Sequence, residues 1–132
     1  MAKVRDTRTL VLPIEQDEIY MTLLDVECLS MMMELDIQMD RRPGGLFRSD
    51  CGTLDGTVIS LEPTERIKLS LSNKGLNLPV PIELTIFLEE IDDGTRIFFH
   101  SEGLPSSQKE GWEKFLKSAF IEPLKVFFSD ED

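Results

Sequence analysis

Two cysteines, one histidine, one tryptophan and one tyrosine are all that this chain of 132 residues has of the side chains that most often carry redox, metal or acid–base chemistry. Cys28 and Cys51 are too few for a disulfide framework, and with a single histidine they match no zinc-ligand spacing. They read as reduced thiols in a cytoplasmic protein. His100 has no nucleophile and no orienting carboxylate at a recognisable spacing, so no catalytic constellation is expected around it. Basic residues are also short: 14 Lys and Arg face 25 Asp and Glu, for a net charge of −11. That balance excludes a nucleic-acid partner, because phosphate binding needs Lys and Arg to neutralise the backbone. It equally opposes an anionic membrane surface and favours solubility or a basic partner. No apolar run approaches the roughly 18–20 residues of a membrane span, so no membrane insertion is expected. Residues 1–8 carry charge without an apolar stretch or cleavage site, unlike a secretory signal. No metal and no cofactor is implied.

What the chain does have is pattern. From residue 108 to 128 the apolar side chains Trp112, Leu116, Ala119, Phe120, Leu124 and Phe127 recur at spacings of three and four, which places them on one helical stripe. Upstream, Ile67, Leu69 and Leu71, then Leu84, Ile86 and Leu88, then Ile97 and Phe99, occupy every second position, as one face of a strand requires. A sheet with one apolar face and a helix with one apolar stripe bury each other, so the chain reads as a two-layer α+β fold in a single domain spanning 1–132.

The remaining elements follow from local signals. Residues 7–12 alternate and stop at Pro13, a first strand. Residues 15–24 form a helix whose acidic first turn complements the dipole, and Asp25 caps a second short helix running through Met33. A second strand over 35–40 meets Arg41-Arg42-Pro43-Gly44-Gly45, where two glycines predict a bulge or bend. Strands follow over 53–61 and 66–72, and then 82–91 joins 95–101 through Asp92-Asp93-Gly94, a hairpin signal. Residues 102–105 read as a loop. Pro123 interrupts the last apolar stripe, so a kink or restart is expected there. The acidic end, 129–132, opposes the helix dipole and is expected to fray.

The order of these pieces resembles the START-like (SRPBCC) superfamily, and within it the domain of the activators of the heat shock protein 90 ATPase. The resemblance rests on Pro13 followed by Ile19-Tyr20, on Asp40-Arg41-Arg42-Pro43-Gly44-Gly45-Leu46-Phe47, and on Gly56-Thr57-Val58 leading to Pro63. Gly94-Thr95, Gly103-Leu104-Pro105 and Gly111-Trp112 with Leu116 complete it. It implies a helix-grip (START/Bet v-like) fold: a curved antiparallel sheet of about six strands wrapped around a long C-terminal helix, with two short helices between strands one and two. It further implies a cleft between sheet and helix for an apolar small molecule or lipid, and with no catalytic set in the sequence the domain reads as non-enzymatic. The alternative it implies is a stress-related co-chaperone acting on the heat shock protein 90 ATPase. Three positions depart from the family pattern. Met31-Met32-Met33 stands where relatives place aromatics, Ser101 where they show an inward-facing His, and Pro123 breaks a helix that usually runs on.

Alternation nominates the cleft lining: Ile67, Leu69, Leu84, Ile86, Ile97, Phe99 and Ser101 on the sheet, facing Trp112 and Leu116 on the helix. The same lining suits a filled core, and a buried Trp112 needs a partner for its indole N–H. The three methionines suit either core filling or the cleft entrance. Phe87 and Phe98, on the wet face of paired strands, read as a cross-strand contact or as the centre of a homodimer or partner interface. Arg41 and Arg42 read as surface ion-pair partners of nearby acids.

Overall fold

The computed structural model describes residues 3–76 and 81–128. Its elements run β1 (Lys3–Leu12), α1 (Gln16–Leu23), α2 (Val26–Met33), β2 (Ile37–Met39), β3 (Leu46–Ser49), β4 (Leu54–Glu62), β5 (Arg66–Asn73), β6 (Ile82–Ile91), β7 (Gly94–Pro105), α3 (Lys109–Leu116) and α4 (Glu122–Phe127). The strands form one antiparallel sheet in the order β1-β7-β6-β5-β4-β3-β2. This is the helix-grip arrangement: an open sheet, two short helices inserted after the first strand, and a terminal helix lying on one face. The acidic end expected to fray, 129–132, lies outside the described residues.

The sheet has seven strands, not about six. The extra one is β3, four residues that follow the glycine bend and pair with β2 along one edge and β4 along the other. Gly44 sits at φ 84°, and a Cβ on Gly45 would overlap the carbonyl oxygen of Asp40, so the bend needs both glycines. β1 begins four residues earlier than alternation implied, because Lys3 to Leu12 pairs along β7 with one bulge, where Arg5 stands opposite Glu102 and Gly103. Charged residues hid this: Asp6 faces inward and is satisfied by Arg8 at 3.2 Å. β7 likewise continues through 102–105, the stretch expected to be loop, where Leu104 is fully buried.

Hairpin β6–β7 turns at Asp92 and Asp93 as expected, with Asp93 at φ 67°. Gly94 is needed next to it, since a Cβ there would strike the Leu12 backbone at the end of β1. Asp25 caps α2 by accepting from the backbone N–H of Glu27 and Cys28. The end of α2 is tied to β2 by Ile37 N–H donating to Ser30 Oγ at 2.9 Å.

The terminal helix is continuous but not uniform. Between α3 and α4 the backbone widens over Lys117–Ile121, where Glu122 N–H reaches back five residues to the Lys117 carbonyl. The cause lies two residues on. Pro123 has no N–H to donate, and in a regular α-helix its ring would crowd the carbonyl of Ala119. The wide turn absorbs that conflict and α4 restarts at Glu122, which is the restart expected at the proline.

Candidate functional site

The nine residues nominated for a cleft are brought together, but into a closed interface. Each of Ile67, Leu69, Leu84, Ile86, Ile97, Phe99, Ser101, Trp112 and Leu116 exposes 3% of its surface or less. None of them lines the groove described below. Trp112 Nε1–H donates to Ser101 Oγ at 2.7 Å, so the Ser101 hydroxyl is spent on the indole. Aromatic rings then fill the layer. Trp112 packs on Phe115 (5.2 Å between centroids), Phe115 on Phe120 edge-on (6.4 Å), and Phe120 on Phe99 (5.7 Å). Helix and sheet are sealed along this line.

Open volume lies at the end of that layer. A groove of about 910 Å³ runs between the end of α2 and the terminal helix, floored by the start of β4 and the end of β5. One wall is Met31, Met32, Met33, Glu34 and Leu35; the other is Lys114, Phe115, Lys117, Ser118, Ala119, Glu122, Pro123, Val126 and Phe127; Thr53, Leu54 and Asn73 form the floor. The two readings of the methionines divide among them. Met32 is buried in the core, whereas Met31 is 67% exposed at the groove. Val126 and Phe127 are exposed opposite it. The floor is held in place locally: Lys74 N–H donates to the Thr53 carbonyl at 2.9 Å and Gly75 N–H to Asn73 Oδ1 at 2.9 Å. The wide turn at Lys117–Ile121 contributes Lys117, Ser118 and Ala119 to the groove, so the Pro123 irregularity shapes this wall.

Sequence reasoning missed this groove because a core position and a groove position use the same apolar residues. The signals that pointed to it were the two breaks in pattern, the methionine run and Pro123. The volume falls within the range of roughly 300–1,000 Å³ common for small-molecule sites.

Elsewhere, chemistry-bearing residues are engaged structurally. His100 lies on the outer face, as alternation required, but it has partners the sequence concealed. Its Nδ1 is 2.7 Å from Thr7 Oγ1 on β1 and its Nε2 is 2.9 Å from Glu102 Oε2. The hydrogen bond from His100 holds the Glu102 carboxyl below the usual range. Hydroxyl, imidazole and carboxylate are thus in line, yet they lie across the face of paired strands β1 and β7 and border none of the described grooves. The arrangement staples two strands. Tyr20 is buried with no partner for its hydroxyl among the described residues; burial, then the Glu62 charge, push its pKa up.

Cys51 is exposed, 3.5 Å from Ser49 Oγ and 3.1 Å from Thr53 Oγ1, and these hydroxyls lower its pKa to about 7. Cys28 moves the other way, raised by burial. Both are free thiols. Among the described residues no group of three or more His, Cys, Asp and Glu is placed to hold a metal ion, and no helix is long and apolar enough to cross a membrane. Arg42 pairs with Asp40 at 2.6 Å and Arg41 reaches the Leu24 carbonyl at 3.5 Å, so the basic pair is used at the bend itself. Phe87 and Phe98 meet across β6 and β7 at 5.8 Å, with Arg66 over Phe87 at 5.6 Å, which supplies the cross-strand contact.

An open antiparallel sheet gripping a long terminal helix, with two small helices beside an apolar groove, defines a START-like domain. The family model for "Activator of Hsp90 ATPase homolog 1-like protein" matches residues 14–126, so the chain belongs to that family. Solved structures agree in fold. An HSP90 activator from Plasmodium falciparum superposes with TM-score 0.83 at 14% identity, over 93% of this chain and 94% of that one. The Aha1 dimer from Colwellia psychrerythraea gives TM-score 0.75 at 18% identity, over 95% and 93%. CalU16 from Micromonospora echinospora gives TM-score 0.73 at 19% identity, over 97% and 85%. No curated protein matches the chain.

Proposed function

We propose that this protein is a non-enzymatic binding domain whose ligand is an apolar small molecule or lipid, held in the groove between α2 and the terminal helix. The carrying observation is the groove itself: it has methionine, leucine, phenylalanine, proline and valine walls beside a sheet–helix interface that is already filled. Apolar walls drive burial of an apolar ligand at about 25 cal/mol per Å² removed from water. Unbranched methionines let one wall adapt to more than one shape. The hydroxyls nearest to a catalytic role, Ser101 and Thr7, are committed to Trp112 and His100. A thermal-shift and native mass-spectrometry screen of lipids and hydrophobic metabolites tests the reading. Bound species and a raised Tm are expected for a subset; a screen with neither defeats it.

A second reading, a stress-related co-chaperone that alters the heat shock protein 90 ATPase, is supported by the family and by the likeness to the Plasmodium falciparum activator. The acidic surface suits a basic patch on such a partner. A chaperone ATPase assay with stoichiometric protein decides it: an unchanged rate with no co-elution excludes this role.

A further inference from the structure

We infer that the ligand of the α2–terminal helix groove is an amphiphile with an anionic head, a fatty-acid-like carboxylate, its tail along the methionine wall and its head at Lys114 and Lys117. The inference rests on the groove reading above and adds the chemistry of the head group. Both lysines border the groove on one wall, and both are exposed. Among the described residues neither has an ion-pair partner, whereas Lys68, Lys109 and Lys125 are all paired. The two acids that line the groove do not neutralise them. Glu122 is engaged by Lys125 at 3.4 Å, and Glu34 belongs to the opposite wall, where it caps α2.

In a chain of net charge −11, two cations without an ion-pair partner among the described residues stand together beside an apolar groove. A neutral ligand leaves them unused. A cationic one is repelled by them, and a carboxylate pairs with them while its chain covers Met31, Phe115 and Val126. The wide turn ahead of Pro123 places Lys117 at this rim, so the irregular helix and the head-group site have one origin.

The test compares three probes sharing a twelve-carbon tail: dodecanoate, dodecan-1-ol and dodecyltrimethylammonium. Each is titrated below its micelle concentration at low salt, and Kd is read by calorimetry. Dodecanoate should bind roughly tenfold tighter than dodecan-1-ol, as two partly exposed charge contacts allow, with dodecyltrimethylammonium weakest. The preference should shrink as salt rises. In K114Q/K117Q dodecanoate should fall to the level of dodecan-1-ol, whose own affinity holds. In K68Q/K109Q, which removes equal charge at lysines whose partners Glu83 and Glu113 lie outside the groove, the preference should persist. Equal binding of dodecanoate and dodecan-1-ol by the native protein overturns the head-group assignment and leaves the groove standing. So does equal loss in the two double variants. Binding of none of the three removes the groove reading as well.

Discussion

Replacing Ser101 by alanine tests whether the sheet–helix layer is a closed core. In the native protein Trp112 Nε1–H donates to Ser101 Oγ at 2.7 Å, and both residues are fully buried. Ser101→Ala leaves that N–H without a partner in a layer that Phe99, Phe115 and Phe120 have closed to water. A buried donor stripped of its acceptor costs about 1–3 kcal/mol, beyond the small net worth of the bond. For a chain of this length each kcal/mol lowers Tm by about 4 °C, so a fall of about 4–12 °C is expected. Urea denaturation followed by circular dichroism gives the free energy directly, and the same measurement in a Trp112→Phe background supplies the control. Phenylalanine has no N–H to orphan, so Ser101→Ala should cost much less there, and the cycle should return a coupling of about 1–2 kcal/mol. A loss below about 0.5 kcal/mol in the native background, or equal losses in both, would refute the closed core.

The unpartnered hydroxyl of Tyr20 predicts the opposite sign: Tyr20→Phe should hold or raise stability by up to about 1 kcal/mol, and a clear loss would reveal a partner for it. Cys51, with its pKa lowered to about 7, should reach half-maximal alkylation near neutral pH, well before Cys28. Mass spectrometry of iodoacetamide adducts across pH measures this, and Ser49→Ala should shift the Cys51 midpoint upward. Glu113 accepts from Lys109 at 2.8 Å and from Arg8 at 2.6 Å, which together lower its pKa. Its contribution is therefore present above the unfolded carboxylate value and lost as pH falls through its depressed folded value. The Tm gap between native protein and Glu113→Gln should be visible at pH 7 and close in acid; a gap independent of pH contradicts this.

The staple of Thr7, His100 and Glu102 shows where reading along the chain stops. Alternation placed His100 on the outer face, and Glu102 stands two residues on. Thr7 is 93 positions away and enters only because β1 pairs with β7. β3 escaped notice for a related reason, since four residues between two bends are too few for alternation to register. The extra length of β1 was masked by Lys3, Arg5 and Asp6: the two cations stand on the edge strand's exposed side, and the carboxylate takes an inward position that an apolar residue would have marked.

Periodicity settled which residues turn inward. The helical stripe of Trp112, Leu116, Ala119, Phe120 and Leu124 and the alternating faces of β5, β6 and β7 are local properties of covalent geometry, and the structure buries all of them, whereas Phe127, the stripe's last member, stands exposed at the groove beyond Pro123. Tertiary structure alone decided whether those faces meet without a gap. That depends on summed side-chain volumes: rings from β7 and the terminal helix close the layer at Trp112, while the bend before Pro123 and the end of α2 leave the groove beyond it. Apolar pattern tells a residue to leave water, and only packing decides whether protein or ligand meets it there.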